Sequence, residues 1–342
     1  MKLKKMNMSS CYKRGFCEAT HLAVRNRFAL PDGAKLSKWF PAHMFTGMKQ
    51  MQAKVRLVDY VVEVHDARIP FTGRNEQFYR LLYKGKPHLL LLNKADLISK
   101  SRMRDVERML MCKEDAVLFC SFNGRQKDAS TVSLMNLVRH CLSTNEQRFH
   151  RQYATDYNVM IVGIPNVGKS TVINSLRARF TALNSKACAV GQKPGVTRSV
   201  MNRVRICDQP KIYVFDTPGV LAPQLQPDDS KSCVQSILKL ALCQCLPNRH
   251  VGLEMLCDFL LYMLNRQNNF QYVDHLGLSN MSDNIHDVLQ QVADQFHFKR
   301  TMSLYGVLQD VRDIERAAEK FLTLFRLGIL GDQFLDFEFL DQ

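Results

Sequence analysis

The chain has 342 residues, of which 46% are hydrophobic and 23% are charged, and its formal net charge is +15. This is the composition of a globular protein, and the length favours two domains. The basic excess indicates a polyanionic partner, either nucleic acid or an acidic membrane surface. No apolar run approaches the roughly 18 residues that span a bilayer, so the sequence argues against a disordered chain and against a transmembrane protein.

The charge is distributed unevenly, and the cysteines form no recognisable framework. The first 230 residues hold 37 Lys and Arg against 18 Asp and Glu, whereas the remaining residues hold 10 against 14. We therefore expect the basic surface in the first two thirds of the chain. The 11 cysteines lack the spacing of a zinc site, so we expect mostly buried free thiols in a reducing compartment.

The first thirty residues carry seven basic side chains and a single acidic one, Glu18. Hydroxyl groups are added by Ser9, Ser10 and Thr20, and the apolar core of a secretory signal is missing. A basic, hydroxylated and acid-poor leader is typical of a mitochondrial presequence, which we predict for residues 1–30. The alternative is a disordered basic arm.

From residue 58 onward, buried strands alternate with helices. The predicted strands are 58–64, 89–92, 116–120 and 158–162, followed by a hairpin of 203–207 and 212–215. The predicted helices are 75–83, 101–111, 129–142 and 169–179. This alternation predicts an α/β domain over residues 37–225, with a mostly parallel sheet covered by helices on both faces.

Beyond residue 225, apolar residues recur at helical spacing. Three stripes, in residues 251–264, 285–296 and 304–325, each place Leu, Val, Ile and Phe side chains on one helix face. We interpret these stripes as the core of a smaller, all-helical domain over residues 226–342. No internal repeat and no low-complexity linker interrupts the chain.

The sequence GIPNVGKS from Gly163 to Ser170 matches the phosphate-binding pattern GxxxxGK[ST] between a predicted strand and a predicted helix. Glycine permits a tight turn whose backbone N–H groups can cradle a triphosphate. Lys169 would reach the β- and γ-phosphates, and the Ser170 hydroxyl would bind magnesium. The predicted phosphate-binding residues are Asn166, Val167, Gly168, Lys169, Ser170 and Thr171.

The tetrapeptide NKAD, Asn93 to Asp96, precedes this phosphate-binding loop instead of following it. Asp96 can accept hydrogen bonds from guanine N1–H and the exocyclic amine together, a donor pair that adenine lacks. Asn93 would hold the loop, the stem of Lys94 would lie against the base, and Ala95 completes the loop. Either one motif is accidental, or the chain is a GTP-binding domain whose segments occur in permuted order.

Two further segments favour the permuted domain. Ser121 and Phe122 follow the next predicted strand, where GTP-binding proteins place a base-contacting loop. The sequence DTPG from Asp216 to Gly219 fits DxxG, so Asp216 would support magnesium through water and the Gly219 N–H would meet the γ-phosphate. Thr197 is placed to close on magnesium. Motifs in mutually consistent positions predict GTP binding and a switch that depends on the γ-phosphate.

The permuted order is physically feasible, because strands can keep their pairing when the old termini are joined and new termini open at the surface. Residues 123–157 would be that join. The chain then runs from the DxxG segment directly into the helical domain. We therefore expect the bound nucleotide to influence the position of the helical domain.

The residues that follow DxxG cannot orient a hydrolytic water, because Val220 and Leu221 carry no polar side-chain group. We therefore expect slow intrinsic hydrolysis and a missing group supplied from elsewhere. His43, in the sequence WFPAHM, could position the water. Asn166 could help to bind a potassium ion near the β- and γ-phosphates. For His43, the residue type alone leaves a surface or capping role as the alternative.

The order of these motifs resembles that of the circularly permuted GTPases of the YlqF type, which include bacterial ribosome biogenesis GTPase A. The sequences WFPAHM at 39–44, DARIP at 66–70 and LAP at 221–223 are similar to signatures of that family. The basic leader is similar to that of the mitochondrial branch, the mitochondrial ribosome-associated GTPases. The resemblance covers residues 37–225 and, more loosely, the helical remainder.

This resemblance implies an assembly factor for the large ribosomal subunit, here the mitochondrial subunit and its rRNA, whose hydrolysis of GTP to GDP is stimulated by the particle. It implies magnesium as a cofactor and a catalytic role for His43, with Ala42 standing where the family motif has glycine. It also implies a monomer in the mitochondrial matrix, peripheral on the matrix side of the inner membrane.

Two other functions remain open from the residues. One is a membrane-associated, GTP-dependent signalling switch without an RNA partner, which salt-sensitive co-sedimentation with the large subunit would distinguish. The other is a nucleotide-gated RNA-binding module with negligible turnover, which a comparison of GTP hydrolysis with and without large subunits would distinguish.

Overall fold

The computed structural model describes residues 24–30, 42–74, 86–112, 114, 116–122, 129–144, 154–182, 203–221, 231–304 and 307–340. For residues 42–45, 231, 232, 304 and 307 the description is limited to the backbone. Within these ranges, no helix is both long enough and apolar enough to cross a membrane. The predicted helix 75–83 lies outside the described residues.

Within the described ranges, a six-stranded sheet forms the centre of the first domain. Its strands are β1 (Tyr60–Asp66), β2 (His88–Asn93), β3 (Val117–Phe119), β4 (Tyr157–Val162), β5 (Arg203–Cys207) and β6 (Ile212–Asp216). The spatial order is β3-β2-β1-β4-β6-β5, and only β5 runs antiparallel to its neighbour. The predicted strands and the hairpin are confirmed, and so is the mostly parallel sheet.

Burial explains why these strands are apolar throughout. Every residue of β1 and β2 is buried, which is the pattern of a parallel strand covered on both faces. The covering helices are α1 (Ala42–Lys54), α2 (Lys100–Leu110), α3 (Ala129–Thr144) and α4 (Lys169–Phe180). Sequence interpretation assigned no helix to α1, and the other three agree with the predicted ranges.

The middle of the sheet positions the candidate site. From β1 the chain proceeds outward through β2 to β3, whereas from β4 it proceeds to the other side through the β5–β6 hairpin. Ligands of such open sheets bind beyond the carboxyl ends of the strands at this point of reversal. The segments that follow β1, β2, β4 and β6 therefore meet at one edge. Helix α3 lies in the predicted join between the two halves.

The second domain is built mainly from helices. They are α5 (Lys231–Leu242), α6 (Leu253–Arg266), α7 (Gln271–Leu276), α8 (Ile285–Gln295) and α9 (Ile314–Arg326). Their apolar stripes are buried against one another, which confirms that these stripes are core. The eight cysteines in the described part of the chain are free thiols, and five of them are buried.

The predicted stripe of residues 304–325 is wrong in its first part. Lys299–Leu304 (β7) and Val307–Arg312 (β8) form an antiparallel hairpin, and α9 begins only at Ile314. The Asp313 carboxylate caps α9 by accepting a hydrogen bond from the Arg316 N–H at 3.0 Å. The apolar residues of this hairpin fall at helical spacing, and over so short a run that spacing does not distinguish a helix from a strand. The described part of the second domain is therefore helical with a β-hairpin between α8 and α9.

The end of the chain joins the two domains. The Asp336 carboxylate accepts hydrogen bonds from the backbone N–H groups of Phe71 and Thr72, at 2.9 and 2.8 Å, and from the Thr72 hydroxyl at 2.6 Å. It also pairs with the ammonium of Lys239 on α5 at 3.0 Å. Asp336 and Lys239 are almost fully buried. A buried carboxylate with this many donors fixes the segment after β1 against the helical domain.

Residues 24–30, which the sequence interpretation placed in the presequence, pack on the helical domain. Arg25 pairs with Asp258 at 2.7 Å and with Asp283 at 3.0 Å. Phe28 is buried, and its ring meets that of Phe259 edge-on with 5.1 Å between the ring centroids. This segment is therefore part of the folded structure.

Candidate functional site

The loop between β4 and α4 turns tightly at both of its glycines. Gly163 and Gly168 have φ angles of 149° and 100°, which residues with a Cβ rarely adopt. A Cβ at Gly163 would lie 2.2 Å from the carbonyl oxygen of Val64 in β1. The loop can therefore lie this close to the neighbouring strand only with glycine, and α4 begins directly after it at Lys169.

The Lys169 ammonium lies inside this loop. It donates hydrogen bonds to the carbonyl oxygens of Gly163 and Ile164 at 3.1 and 2.8 Å, and only 7% of the residue is exposed. Burial lowers the pKa of Lys169 to about 8, with the Asp216 carboxylate acting in the opposite direction. A phosphate group would offer this ammonium a full negative charge in place of neutral carbonyl oxygens.

Asn93 physically connects the base-reading loop to the phosphate-binding loop. Its amide nitrogen donates to the Val167 carbonyl oxygen at 2.8 Å, and its amide oxygen accepts from the Phe122 N–H at 2.9 Å. A Cβ at Gly168 would lie 2.3 Å from the Asn93 amide nitrogen. Segments that are far apart in the chain, and in reverse of the usual order, therefore converge on one place.

The rest of the NKAD loop is held by hydrogen bonds that its backbone N–H groups donate. The Ala95 N–H donates to the Cys120 carbonyl at 2.9 Å, and the Asp96 N–H donates to the Ser121 hydroxyl at 2.9 Å. Lys94 has a positive φ of 61°, which turns the chain sharply at the end of β2. Asp96 itself is exposed, so its carboxylate is available to a ligand at this edge of the sheet.

An ion-pair cluster beside Lys94 was missed by the sequence interpretation. The Lys94 ammonium lies 2.7 Å from the Asp66 carboxylate, which also pairs with the Arg68 guanidinium at 2.8 Å. Burial alone would raise the pKa of Asp66, but Arg68 and Lys94 hold it well below its usual range. The signal was the DARIP sequence at the end of β1, which entered the sequence analysis only through the family resemblance.

The DxxG segment packs directly on the phosphate-binding loop. Asp216 is buried at the end of β6, and the Thr217 hydroxyl donates to the Ile161 carbonyl at 2.5 Å. A Cβ at Gly219 would lie 2.6 Å from backbone atoms of Pro165. Val220, which follows, is fully buried. Its side chain therefore contributes neither polarity nor exposed surface to the site.

Two of the three predicted magnesium ligands lie at this edge of the sheet. Ser170 is the second residue of α4 and is partly exposed. Asp216 lies close enough to Lys169 for its charge to act on the lysine pKa. Hydroxyl and carboxylate oxygens are the ligands that magnesium prefers, so this donor set fits the ion. Thr197, the third predicted ligand, lies outside the described residues.

The helical domain contacts the phosphate-binding loop at Asn166. The Asn166 amide nitrogen donates to the Gln244 carbonyl oxygen at 2.9 Å. Gln244 lies in the turn after α5 and has a positive φ of 61°. Thr171, the last predicted residue of the phosphate-binding segment, is partly exposed in the first turn of α4. The sequence interpretation assigned no part of the site to the helical domain, and Gln244 corrects this.

Helix α1 approaches the DxxG segment from the other side. A Cβ at Gly47 would lie 2.6 Å from the Pro218 ring. The backbone of His43 lies in the first turn of α1, four residues and about one helical turn before Gly47. The helix that carries His43 is therefore packed beside the segment that follows β6.

These features define a class of protein. A glycine-turned phosphate loop at the point of reversal of a parallel sheet, joined through Asn93 to an NKAD loop from an earlier strand, is the nucleotide site of a circularly permuted P-loop GTPase. The fold class predicted from the sequence is confirmed.

Comparisons with known proteins identify the family. The chain is 39% identical to "Mitochondrial ribosome-associated GTPase 1" of Bos taurus over 94% of this chain and 95% of the relative. It is 40% identical to the protein of that name from Mus musculus, over 92% and 94% of the two chains. The chain therefore belongs to the mitochondrial ribosome-associated GTPase 1 family and is a GTP hydrolase.

A family model and a solved structure also match this chain. A family model described as "50S ribosome-binding GTPase" matches residues 158–324, a range that begins in β4 and leaves out the NKAD segment. The crystal structure of GNP-bound YlqF from T. maritima aligns with a TM-score of 0.50 at 22% identity, over 82% of this chain and 93% of that chain. The structural comparison supports the fold.

Proposed function

We propose that this protein is a mitochondrial GTPase that acts as a checkpoint in the assembly of the large ribosomal subunit and thereby supports mitochondrial translation. The observation that carries the proposal is the similarity over nearly the whole chain to relatives named for the mitochondrial ribosome. The excess of basic residues before residue 231 suits contact with rRNA. The particle would bind the GTP form and stimulate its hydrolysis.

In the nucleotide complex, the phosphate-binding loop would contact the phosphates and the NKAD loop would contact the guanine base. The N–H groups of Asn166, Val167 and Gly168 and the start of α4 face the phosphates, with Thr171 in the same first turn. Lys169 would exchange its carbonyl partners for phosphate oxygens. The Asp96 carboxylate would read the guanine edge, and Ser121 and Phe122 would support the base loop through the contacts described above.

Magnesium would be held by Ser170 and Thr197 directly and by Asp216 through water. When bound, the ion neutralises charge on the β- and γ-phosphate oxygens. The Gly219 N–H would meet the γ-phosphate, which ties the DxxG segment to the GTP form. Because Gly219 already packs on Pro165, loss of the γ-phosphate would change a contact that the two loops share.

His43 would position the hydrolytic water. Support comes from the packing of Gly47 in the same helix against Pro218, and from the burial of Val220 and Leu221, which leaves the DxxG segment without a group for this role.

A potassium ion near the β- and γ-phosphates would add positive charge, with Asn166 as a ligand. The rate difference between potassium and sodium buffers tests the ion, because equal rates would remove it from the mechanism.

The proposed location is the mitochondrial matrix, as a monomer peripheral on the matrix side of the inner membrane. A presequence would direct the chain there. Because Arg25 and Phe28 are built into the helical domain, we infer that the cleavage lies before Arg25 and not after residue 30. N-terminal sequencing of the protein purified from mitochondria tests this boundary.

The decisive experiment compares GTP hydrolysis by the wild type and by His43→Ala, with and without mitochondrial large subunits. We expect the subunits to accelerate the wild type, and His43→Ala to lose roughly 10²-fold of that stimulated rate with GDP affinity unchanged. His140→Ala is the matched control, because His140 is exposed on α3, away from the nucleotide loops. Full stimulation of His43→Ala would refute the role of His43, and no stimulation of the wild type would refute the checkpoint.

A further inference from the structure

A chain of polar contacts runs from the NKAD loop to Gln333. This residue belongs to residues 332–340, the C-terminal segment of the helical domain. The Lys94 ammonium contacts the Asp66 carboxylate at 2.7 Å, and the Arg68 Nε and Nη2 atoms contact the same carboxylate at 2.9 and 2.8 Å. The Arg68 Nη1 atom then donates to the Gln333 side-chain oxygen at 3.1 Å. Gln333 is thus connected through Arg68 and Asp66, by three contacts in all, to the lysine that would cover the guanine ring.

This chain of contacts is shielded from solvent along most of its length. Asp66 is fully buried, Arg68 and Gln333 are 3% and 1% exposed, and the Lys94 side chain is 25% exposed. The Arg68 guanidinium also lies over the Phe325 ring, 5.9 Å from its centroid. Inside the protein, charge-assisted hydrogen bonds are strong and directional. The Asp66 carboxylate therefore fixes the position of the Lys94 ammonium as long as the Arg68 guanidinium fixes the carboxylate.

Gln333 also contacts the residue that directly follows the NKAD tetrapeptide. The Gln333 N–H donates to the carbonyl oxygen of Leu97, the residue after Asp96, at 3.0 Å. Leu335 attaches the same segment to the residues after β1, because its N–H donates to the Arg68 carbonyl at 2.9 Å. Gly328, at the end of α9, approaches Leu97 so closely that a Cβ there would lie 2.8 Å from the leucine side chain. Both sides of the base-reading tetrapeptide are therefore fixed by the helical domain.

We propose that Asp66 and Gln333 are positioning residues for guanine recognition, through which the C-terminal segment of the helical domain holds Lys94 at the base. The proposal rests on the base-stacking role assigned to Lys94 above. It gives the helical domain a function in nucleotide affinity. Displacement of residues 332–340 by a partner would weaken the hold on the base while the phosphate loop remained intact.

A purely structural role for Gln333 makes a different prediction. If Gln333 only stabilised the fold, its loss would weaken every ligand of the site equally or none of them. A positioning role affects ligands that contain the base and spares ligands that contain phosphates alone. Inorganic pyrophosphate is a suitable base-free probe, because it can occupy the phosphate loop without reaching the NKAD loop.

The test compares Gln333→Met with Gln267→Met in the full-length protein. Methionine preserves side-chain volume and removes the acceptor for Arg68. Gln267 is the matched control, because its side chain donates to the carbonyl of the adjacent Phe334 at 3.2 Å but makes no contact with Arg68. We expect Gln333→Met to raise the Kd for GDP about tenfold. The inhibition constant of pyrophosphate should stay constant, and Gln267→Met should change neither value.

A double-mutant cycle with Lys94→Met locates the effect. If Gln333 acts through Lys94, the loss caused by Gln333→Met should disappear in the Lys94→Met background. Asp66→Asn should reproduce the GDP-specific loss and serves as a second variant should Gln333→Met fail to fold. Equal weakening of GDP and pyrophosphate, or additive losses in the cycle, would overturn the proposal. If Lys94→Met leaves GDP affinity unchanged, the failure lies in the assigned base site.

Discussion

The two halves of the nucleotide site are held in different ways. The base-reading half rests on side chains, because Asp66 and Arg68 form a buried network that Gln333 completes, and the Asn93 amide oxygen accepts from the Phe122 N–H. The phosphate-binding half rests on backbone geometry, because Gly163, Gly168 and Gly219 permit approaches that a Cβ would block. The buried lysine of this half, Lys169, bonds to carbonyl groups of its own loop.

Because of this difference, we expect the selectivity for guanine and the response to the γ-phosphate to depend on different parts of the site. The residues that support the base loop are already in contact with partners that they would keep in the complex, so little reorganisation is needed. The phosphate half must exchange partners, because Lys169 has to leave the carbonyl oxygens of Gly163 and Ile164. We therefore expect guanine preference to depend on long-range packing, and the response to the γ-phosphate to depend on the loops alone.

The largest effect should follow from removal of the lysine on the phosphate side. Lys169→Ala should reduce GTP hydrolysis roughly 10²–10³-fold, because a preorganised positive charge at the transferring phosphate is lost. Single-turnover hydrolysis with saturating GTP measures this effect. Lys211→Ala, at an exposed position before β6, is the control and should hydrolyse GTP at the wild-type rate. A loss below threefold would contradict the assigned role of Lys169.

A smaller loss should follow when the two halves are forced apart at their junction. Gly168→Ala places a methyl group where the Asn93 amide nitrogen lies, at 2.3 Å. We expect the Kd for GDP to rise roughly 10- to 100-fold, because the Asn93 bond to Val167 breaks and a buried amide loses its partner. Isothermal titration with GDP measures the change.

Gly252→Ala is the matched control for this junction. Gly252 has a similar φ of 92°, but a Cβ there meets no atom within 4 Å. Both variants carry the backbone strain, and only Gly168→Ala carries the clash. Similar GDP affinities in the two variants would show that the Asn93 contact contributes nothing to binding.

A smaller effect is expected in the pH dependence of GDP binding, which depends on the protonation of the buried Lys169. Burial lowers the pKa of Lys169 in the free protein to about 8, and phosphate contact favours the charged form and raises this pKa. Above the free-protein pKa, binding must therefore take up a proton, and the Kd for GDP should increase up to about tenfold per pH unit. Below pH 8 this dependence should disappear. A flat profile from pH 7 to pH 9.5 would contradict the assignment.

The smallest effect concerns the position of the helical domain. Gln244 contacts Asn166 at the phosphate loop, whereas Gln333 holds the base loop irrespective of the phosphates. The GDP and GTP-analogue forms should therefore differ in their small-angle scattering profiles, through movement at the Gln244 contact. Identical profiles would show that the bound nucleotide does not change the position of the helical domain.

Local pattern explains what could be read from the sequence. The strand limits of β2 and β4 and the start of α4 follow from apolar runs that end in a turn motif, and the structure confirms the strand limits to within one residue and the start of α4 at Lys169. The hairpin of Lys299–Leu304 and Val307–Arg312 was missed, because its apolar residues continue into the stripe of α9. Short segments with mixed periodicity do not distinguish a helix from a strand.

Long-range contacts account for the parts of the site that the sequence interpretation missed. Arg68 and Gln333 are separated by 265 positions, and no local pattern links a glutamine in the irregular segment after α9 to an arginine after β1. Gln244 contributes a backbone carbonyl, so its residue type carries no signal at all. For Thr197 and the side chain of His43, the assigned roles stay predictions, since both lie outside what the structure describes.

The central claim is that the NKAD loop and the phosphate loop, in reversed order along the chain, bind opposite ends of one guanine nucleotide. The most direct measurement is the affinity of Asp96→Asn for GTP and for xanthosine triphosphate. The account predicts that the preference for GTP changes to a preference for xanthosine triphosphate, because the asparagine amide can donate to the extra xanthine oxygen and no longer accepts from the guanine amine. An Asp96→Asn protein that still prefers GTP as strongly as the wild type would contradict it.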